Sequence, residues 1–401
     1  MIRIAAFPTR AAPGALLAPL VLAATAFLVS PVPGAAQSLL SASGLGIPVE
    51  APDGRSRMLG SVGVALSGSA LLPNDPASAG WSILPGIVVS GQAGGETFQD
   101  GGTAYQSRFP FLGIVYPYGR QVYSLSFSGT FSQEWDVEVD RVLELAGEPV
   151  GAVDRFEGRG GVSAARFGVA RRLAEDRVSV GANIGSHLGS VERRFSRELN
   201  LDDVGTEVEP FELEGIWRSA GLTAAAGAHW DVTPLVRLGG SVTWSEDLRL
   251  DPTADTEGEV QRVPMPLELR GGLFATLTPG LGLAASIYRA DWSETAEALG
   301  DTEAPGMVWQ WGTGLEWAGT TVLGRQIPLA AGYRSRDLPF SFLGSAARES
   351  AFTGGIGIHL ADAETTPMAR LHVGFEVGTR TAGDLEEDFW RTTFTLRLSG
   401  R

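Results

Sequence analysis

The sequence predicts an all-β protein: a transmembrane antiparallel β-barrel of about 14 strands with an N-terminal luminal plug. Three observations predict this class. Apolar residues alternate with small or polar ones along most of the chain. The alternating segments are about 9 to 15 residues long, whereas strands of soluble sheets usually have about 5 or 6. Short and long connections also follow each other in turn, as they do in outer-membrane barrels.

The composition excludes several other classes. Of the 401 residues, 44% are hydrophobic and 19% are charged, which is too apolar for a disordered chain. Cysteine is absent, so that disulfides and thiolate metal sites cannot form. The formal net charge of −15 argues against nucleic acid as a partner, because phosphates attract Lys and Arg.

Residues 1–36 have the organisation of a secretory signal peptide. A positively charged start precedes an apolar run over 15–29. The small residues Gly34 and Ala36 then suit cleavage before Gln37. The alternative is a membrane anchor, but the run is shorter than the roughly 20 residues that a helical span needs. We therefore expect the mature chain to leave the cytoplasm.

Residues 37–83 are predicted to form the plug. This segment is rich in small and apolar residues, and its run 62–66 would otherwise be exposed to water. Its central turn is Pro73, Asn74, Asp75, Pro76 and Ala77. Prolines lack the N–H group that a β-ladder needs, while Asn and Asp readily bond nearby backbone. A rigid turn that anchors the plug is therefore expected.

Residues 84–401 are predicted to form the barrel. The candidate strands lie near 84–93, 104–117, 120–133, 157–172, 177–191, 215–231, 235–245, 264–278, 281–290, 307–318, 327–335, 351–361, 367–379 and 389–399. Successive side chains of a strand point to opposite faces. Leu125, Phe127 and Phe131 are therefore expected to face lipid, and Ser126 is expected to face the lumen.

The connections after even-numbered strands are short, and those after odd-numbered strands are mostly long. The long ones lie near 134–156, 192–214, 246–263, 291–306 and 336–350. Outer-membrane barrels have short periplasmic turns and long outer loops, and aromatic girdles at both interfaces. The pattern predicts a monomer in the outer membrane of a Gram-negative-type bacterium, in contact with outer-membrane lipid and lipopolysaccharide.

Acidic residues are concentrated in four of the long connections. Residues 134–157, 192–214, 246–262 and 291–306 together carry 27 Asp and Glu against 7 Arg. They form either solvated faces or an outer rim that binds the divalent cations which bridge lipopolysaccharide phosphates. No spacing typical of an EF-hand is present, so the sequence predicts no specific metal site.

The sequence gives no pattern typical of an enzyme. None of the four histidines has zinc-ligand spacing, and neither a nucleophile elbow nor a phosphate-binding loop is present. We predict no catalytic residue, cofactor or metal. Charged residues on the polar strand faces are the lumen candidates: Arg237, Glu268, Arg270, His372, Glu376 and Arg397. They form either an ion-pair network or the lining of a conduit.

Residues 57–77 resemble a stretch of the FadL-like superfamily, the outer-membrane transporters of long-chain fatty acids and other hydrophobic compounds. Members carry R-x-L-G-x-G-x-A-G-V-A, then S-A-L and an N-P-A turn, just before the first of fourteen strands. This chain departs from the pattern where Asp75 separates Asn74 from Pro76. It also ends in Gly400 and Arg401, where outer-membrane strands typically end in an aromatic residue.

The resemblance implies passive uptake of hydrophobic small molecules, fatty-acid-like, across the outer membrane. In that family a ligand enters a pocket under the outer loops, the plug shifts, and the ligand leaves through an opening in the wall. The alternative is a non-transport barrel, either a structural protein or a secretion adaptor such as the PorV-like relatives, which share the stretch. Apolar lumen positions near the plug would favour transport, and an ordered loop face for partners would favour the adaptor.

Overall fold

The computed structural model describes residues 38–50, 52–98, 103–145, 148–200, 211–322, 324–363 and 366–400. The predicted signal peptide lies outside these residues. Within them, the helices are all too short or too polar to cross a membrane.

Fourteen long antiparallel strands form one closed barrel, which confirms the predicted fold class. They are β1 Gly86–Phe98, β2 Thr103–Tyr118, β3 Gln121–Leu145, β4 Glu148–Leu173, β5 Val178–Asn200, β6 Phe211–Thr233, β7 Val236–Ser245, β8 Glu268–Thr278, β9 Leu281–Asp291, β10 Met307–Trp317, β11 Leu329–Phe342, β12 Ser345–Ala363, β13 Thr366–Ala382 and β14 Leu385–Ser399. Each strand pairs with the next, and β14 pairs with β1. Closure satisfies the backbone hydrogen bonds that an open edge would expose to lipid.

The remaining elements are short. They are the strands Ile47–Pro48, Leu248–Pro252, Gln261–Val263, Thr321–Val322 and Arg325–Gln326, the helices α1 Gly54–Met58 and α2 Ser293–Ala298, and the 3₁₀ turns Leu39–Ala42 and Pro76–Trp81. Those before β1 belong to the N-terminal segment, by which we mean residues 38–83.

The alternation assigns most strand faces correctly, with one exception on β3. Leu125 and Phe127 are exposed on the outer surface and Ser126 is buried, as predicted. Phe131 is only 4% exposed and faces the lumen, so its predicted contact with lipid is wrong. The cause is a β-bulge, because the register between β3 and β4 shifts at Thr130 and the next side chain moves to the opposite face.

Most of the predicted outer loops on one side of the barrel are strand. Residues 134–156 continue the ladder of β3 and β4 up to the pair Leu145 and Glu148, and much of 192–214 belongs to β5 and β6. Residues 336–350 are also mainly β11 and β12. The predicted loops were wrong here. Above the membrane the strands keep their ladder hydrogen bonds but no longer need an apolar outer face, so the alternating pattern that marks a strand is lost.

Replacing Phe127 with Arg should destabilise the barrel by about 2–4 kcal/mol, because the charge would meet lipid near the middle of the bilayer. Tyr118 is also exposed on the outer surface but lies at the periplasmic end of β2. The matched change Tyr118→Arg should therefore cost about 0–1 kcal/mol. Urea titration of folding into lipid vesicles measures both values, and equal losses at the two positions would contradict the assigned depth.

Candidate functional site

The N-terminal segment contacts inward-facing residues on widely separated strands. Ser38 Oγ donates a hydrogen bond of 2.7 Å to Glu387 on β14. The backbone N–H of Gly60 donates to Thr353 Oγ1 on β12 at 2.9 Å. Asn183 on β5 donates to the carbonyl of residue 73 at 2.7 Å. These contacts run from one side of the barrel interior to the other.

Two ion pairs hold α1 against the wall. Arg57 bonds Glu376 at 2.7 Å, and both side chains are almost completely buried. Arg55 bonds Glu316 at 2.6 Å. Asp53 caps α1 by accepting hydrogen bonds from two backbone N–H groups of its first turn, and burial raises the pKa of this carboxyl. Buried pairs of this kind are costly to break singly, since each partner would be left as an unpaired charge.

The wall pair of Arg57 belongs to a larger buried cluster of charges on β11 to β14 and β1. Its members are Glu96, Arg334, Arg336, Glu349, Glu376, Arg380, Glu387 and Arg391. Glu349 forms ion pairs with four of these arginines. Of this charge cluster, only Glu376 was a candidate in the sequence, although the others occupy alternate positions on the same polar faces.

The turn around Asp75 is fastened to the barrel by a histidine. Asp75 is fully buried, and its Oδ2 lies 2.6 Å from His229 Nε2 on β6. Trp81 donates to His229 Nδ1 at 3.0 Å, so the Nε2 carries the proton that Asp75 accepts. The residue that interrupts the family's N-P-A turn thus provides a side-chain contact to the wall. No pattern in the sequence pointed to His229, which lies 154 positions from Asp75.

The structure places the six lumen candidates at different sites. Arg237 pairs with Asp231 at 2.6 Å and stacks on Trp81 with 3.8 Å to the ring centroid. Arg397 donates to the Ser69 carbonyl at 2.8 Å, and with His372 it lines a small cavity near the periplasmic end. Glu376 lies in the charge cluster described above.

Glu268 and Arg270 form an ion pair of 2.8 Å beside a central cavity. This cavity consists of two adjoining spaces of about 40 Å³ each. Both are lined by Val49, Glu50, Asn74, Arg270, Tyr288 and Gln310. A space of this size holds a few water molecules but is smaller than the roughly 150 Å³ that admits benzene. A larger ligand therefore requires the N-terminal segment to shift.

An apolar cap covers the outer side of the central cavity. It comprises Phe131, Val162, Leu248, Val263, Tyr288, Ala290, Trp292 and Val308. The short strands in the connection 246–263 and the residue before α2 contribute three of these side chains. Phe131 and Trp292 pack edge to face with ring centroids 5.8 Å apart. The β-bulge at Thr130 is what brings Phe131 into the cap.

The barrel wall opens between β2 and β3. Their ladder ends at the pair Phe111 and Ser128, and beyond it the described parts of the two strands are not paired. Pro110 follows directly on β2 and has no N–H group to continue the ladder. The sequence therefore contained a signal for this opening.

The N-terminal segment occupies the free edge of β3 at this opening. Ile47 and Pro48 pair antiparallel with Ser132 and Phe131. The backbone N–H of Val49 adds a hydrogen bond of 2.8 Å to the β3 backbone. A short strand of the segment thus stands in place of the missing part of β2.

The strands β3 to β6 continue above the cavity as extended hairpins, and an aromatic strip lies on the inner face of these hairpins. Phe156 on β4 and Phe195 on β5 have ring centroids 4.9 Å apart, and Phe195 and Phe211 on β6 are 6.2 Å apart. Phe211 is 56% exposed. These residues continue the face that carries Phe131 and Val162 lower down.

No protein-family model matches the sequence, and no curated protein does. Solved structures do match over most of the chain. A Pseudomonas aeruginosa FadL homologue superposes with a TM-score of 0.59 at 13% identity, covering 88% of this chain and 98% of its own. The chain has the fold of the FadL-type channels.

Two further solved structures match with a similar coverage. The CymD monoaromatic hydrocarbon channel gives a TM-score of 0.54 at 15% identity, covering 87% of this chain and 97% of its own. The P. putida toluene transporter TodX gives 0.53 at 14% identity, covering 86% and 98%. The predicted resemblance is confirmed at the level of the fold.

Proposed function

We propose that this protein is a monomeric outer-membrane channel for the passive uptake of hydrophobic small molecules. The observation that carries the proposal is the opening between β2 and β3, which lies directly beside the apolar cap and where, among the described residues, 47–49 take the place of the missing strand. An apolar site with a few polar groups is the usual form of a small-molecule pocket.

The proposed route starts at the aromatic strip. A hydrophobic molecule would bind there from outside, because transfer of its apolar surface from water onto exposed aromatic side chains is favourable. It would then pass beneath the apolar cap into the central cavity. From this cavity the opening between β2 and β3 leads sideways into the wall. The TodX and CymD structures are named for monoaromatic hydrocarbons, which are molecules of this class.

The N-terminal segment would act as a plug that closes this route. Its polar contacts with the wall are hydrogen bonds and ion pairs at separate points, and its apolar side chains pack in three separate clusters. The paired strand at the opening contains two residues. So short a ladder has few hydrogen bonds to lose when the segment moves. The turn around Asp75 would remain fixed by His229 and anchor the movement.

The alternative function is a secretion adaptor or structural protein. The extended hairpins of β3 to β6 favour it, because they provide an ordered surface above the membrane. An adaptor does not need the segment at the opening to move, and this difference distinguishes the two functions.

Locking the segment to β3 should abolish uptake. Ile47 and Ser132 are direct antiparallel partners, and such pairs have Cα separations of about 4.5–5.5 Å, within the range of disulfides. The chain has no other cysteine, so the variant Ile47→Cys with Ser132→Cys can form only this bond. Uptake of radiolabelled toluene into proteoliposomes should stop under oxidation and return on reduction.

The matched control is Thr379→Cys with Asp388→Cys, a direct pair within the unbroken ladder of β13 and β14. Oxidation of this pair should leave uptake unchanged. Equal toluene uptake by the oxidised and reduced forms of the first variant would contradict the proposed route and favour the alternative function.

A further inference from the structure

Arg166 on β4 is a buried cation that has no ion-pair partner among the residues the structure describes. Its side chain is 4% exposed and lines the central cavity. Within the described part of the chain it makes one hydrogen bond, to Ser128 Oγ at 3.3 Å, and its Nε has no acceptor there. No described carboxylate forms an ion pair with it. A guanidinium has five N–H donors, so most of its bonding capacity is unused.

The other charges around this cavity are already neutralised or face elsewhere. Three ion pairs account for most of them: Arg270 with Glu268, Arg336 with Glu349, and Arg348, outside the cavity, with Asp337. The negative charge of Glu50 interacts electrostatically with Arg270 and Arg336. Of the described arginines that line the cavity, Arg166 is the one without an ion pair, although the charge of Glu268 also acts on it. Leaving such a charge uncompensated is costly, which indicates that an anion occupies the position at some stage of function.

His187 adds a second buried polar side chain next to Arg166. It is 2% exposed, lies on the neighbouring strand β5 and lines the same cavity. Its Nε2 contacts Ser245 Oγ at 3.0 Å, while its Nδ1 has no partner. Arg166 and His187 together give one end of the cavity a compact polar surface.

The same cavity also has aromatic lining. Phe131, Tyr288 and Trp292 of the apolar cap line it. The cavity is small even when both of its parts are counted. A flat ring, which packs against aromatic walls in offset or edge-to-face contact, requires a smaller shift of the N-terminal segment than a long flexible chain does.

We propose that the central cavity binds an aromatic monocarboxylate, whose carboxylate is received by Arg166 and whose ring packs beneath the apolar cap. The proposal rests on the proposed function, because it names the chemical class of molecule that the same route carries. Arg166 is then the residue that selects an acid over a neutral hydrocarbon of the same shape.

The first test compares ligands on the wild-type protein. Binding of benzoate, benzamide, toluene and palmitate to the full chain in detergent is measured by isothermal titration calorimetry. Benzoate should bind roughly 10- to 100-fold more tightly than benzamide and toluene, since a hydrogen-bonded charge pair provides a difference of this size. Palmitate should bind more weakly than benzoate. Equal affinities for benzoate and benzamide would overturn the inference.

The second test changes the charge. Arg166→Met should weaken benzoate binding by roughly 10- to 100-fold and leave toluene binding within a few-fold. Arg166→Lys, which keeps the charge, should retain most of the benzoate affinity. If Arg166→Met does not assemble, the benzoate affinity of Arg166→Lys is compared with that of the wild type instead. The control Arg171→Met removes an exposed arginine on the same strand and should change neither affinity.

The outcomes separate this inference from the proposed function. If toluene binds and benzoate does not, the hydrophobic channel stands and the acid specificity fails. If no probe binds, both fail. If Arg166→Met weakens benzoate and toluene equally, Arg166 has a structural role and the inference is overturned.

Discussion

Deleting residues 40–75 should convert the protein into an open pore with a much larger ion conductance in planar bilayers. The segment brings buried apolar residues such as Met58, Leu59 and Val62 into the barrel interior, and their removal leaves that space to water. Barrels of about 8 strands are filled by their own side chains, whereas those of 16 to 18 leave an aqueous channel. A barrel of fourteen strands should therefore conduct once it is emptied.

The barrel itself should survive this deletion, because its closed ladder does not depend on the segment. Heat-modifiable migration on gels shows whether the variant has assembled. The control deletes the exposed loop residues 257–260, which should leave the conductance at the wild-type level. A deletion variant that assembles and still conducts like the wild type would refute the plug and weaken the transport function with it.

The sequence predicted the barrel because a single repeated physical requirement governs it. Each strand must present apolar side chains to lipid, so the period of two appears fourteen times. Phe131 shows where this reasoning ends, since a bulge of one residue reverses the face and leaves no trace in composition. The extended hairpins were predicted as loops for the opposite reason, because strands above the membrane are free of the lipid requirement.

The site was less predictable than the fold because it depends on contacts across the barrel. Alternation placed Glu268 and Arg270 on the inner face, but it could not show that they pair while Arg166 does not. Pro110 in a strand pattern was a readable signal of a broken ladder. The contact of Asp75 with His229, in contrast, joins two segments that only the closed barrel brings together.

Replacing Glu349 with Gln should destabilise the barrel by about 3–5 kcal/mol, the cost of removing one partner from a buried ion pair. Glu349 is 1% exposed and neutralises arginines on both neighbouring strands. Urea unfolding in lipid vesicles measures the loss. The control Glu386→Gln changes an exposed carboxylate on β14 and should cost less than about 1 kcal/mol, as surface charges do.

A second substitution identifies the charge that causes this loss. Arg334 and Arg391 can still pair with Glu376 when Glu349 is removed, and Arg380 keeps two other carboxylates. Arg336 has no other ion-pair partner among the described residues. Adding Arg336→Met to Glu349→Gln should therefore recover part of the lost stability, because it removes the one arginine left without a counter-charge. If the double variant is less stable than Glu349→Gln alone, the loss does not arise from an unpaired buried arginine, and the cluster stabilises the wall by packing instead.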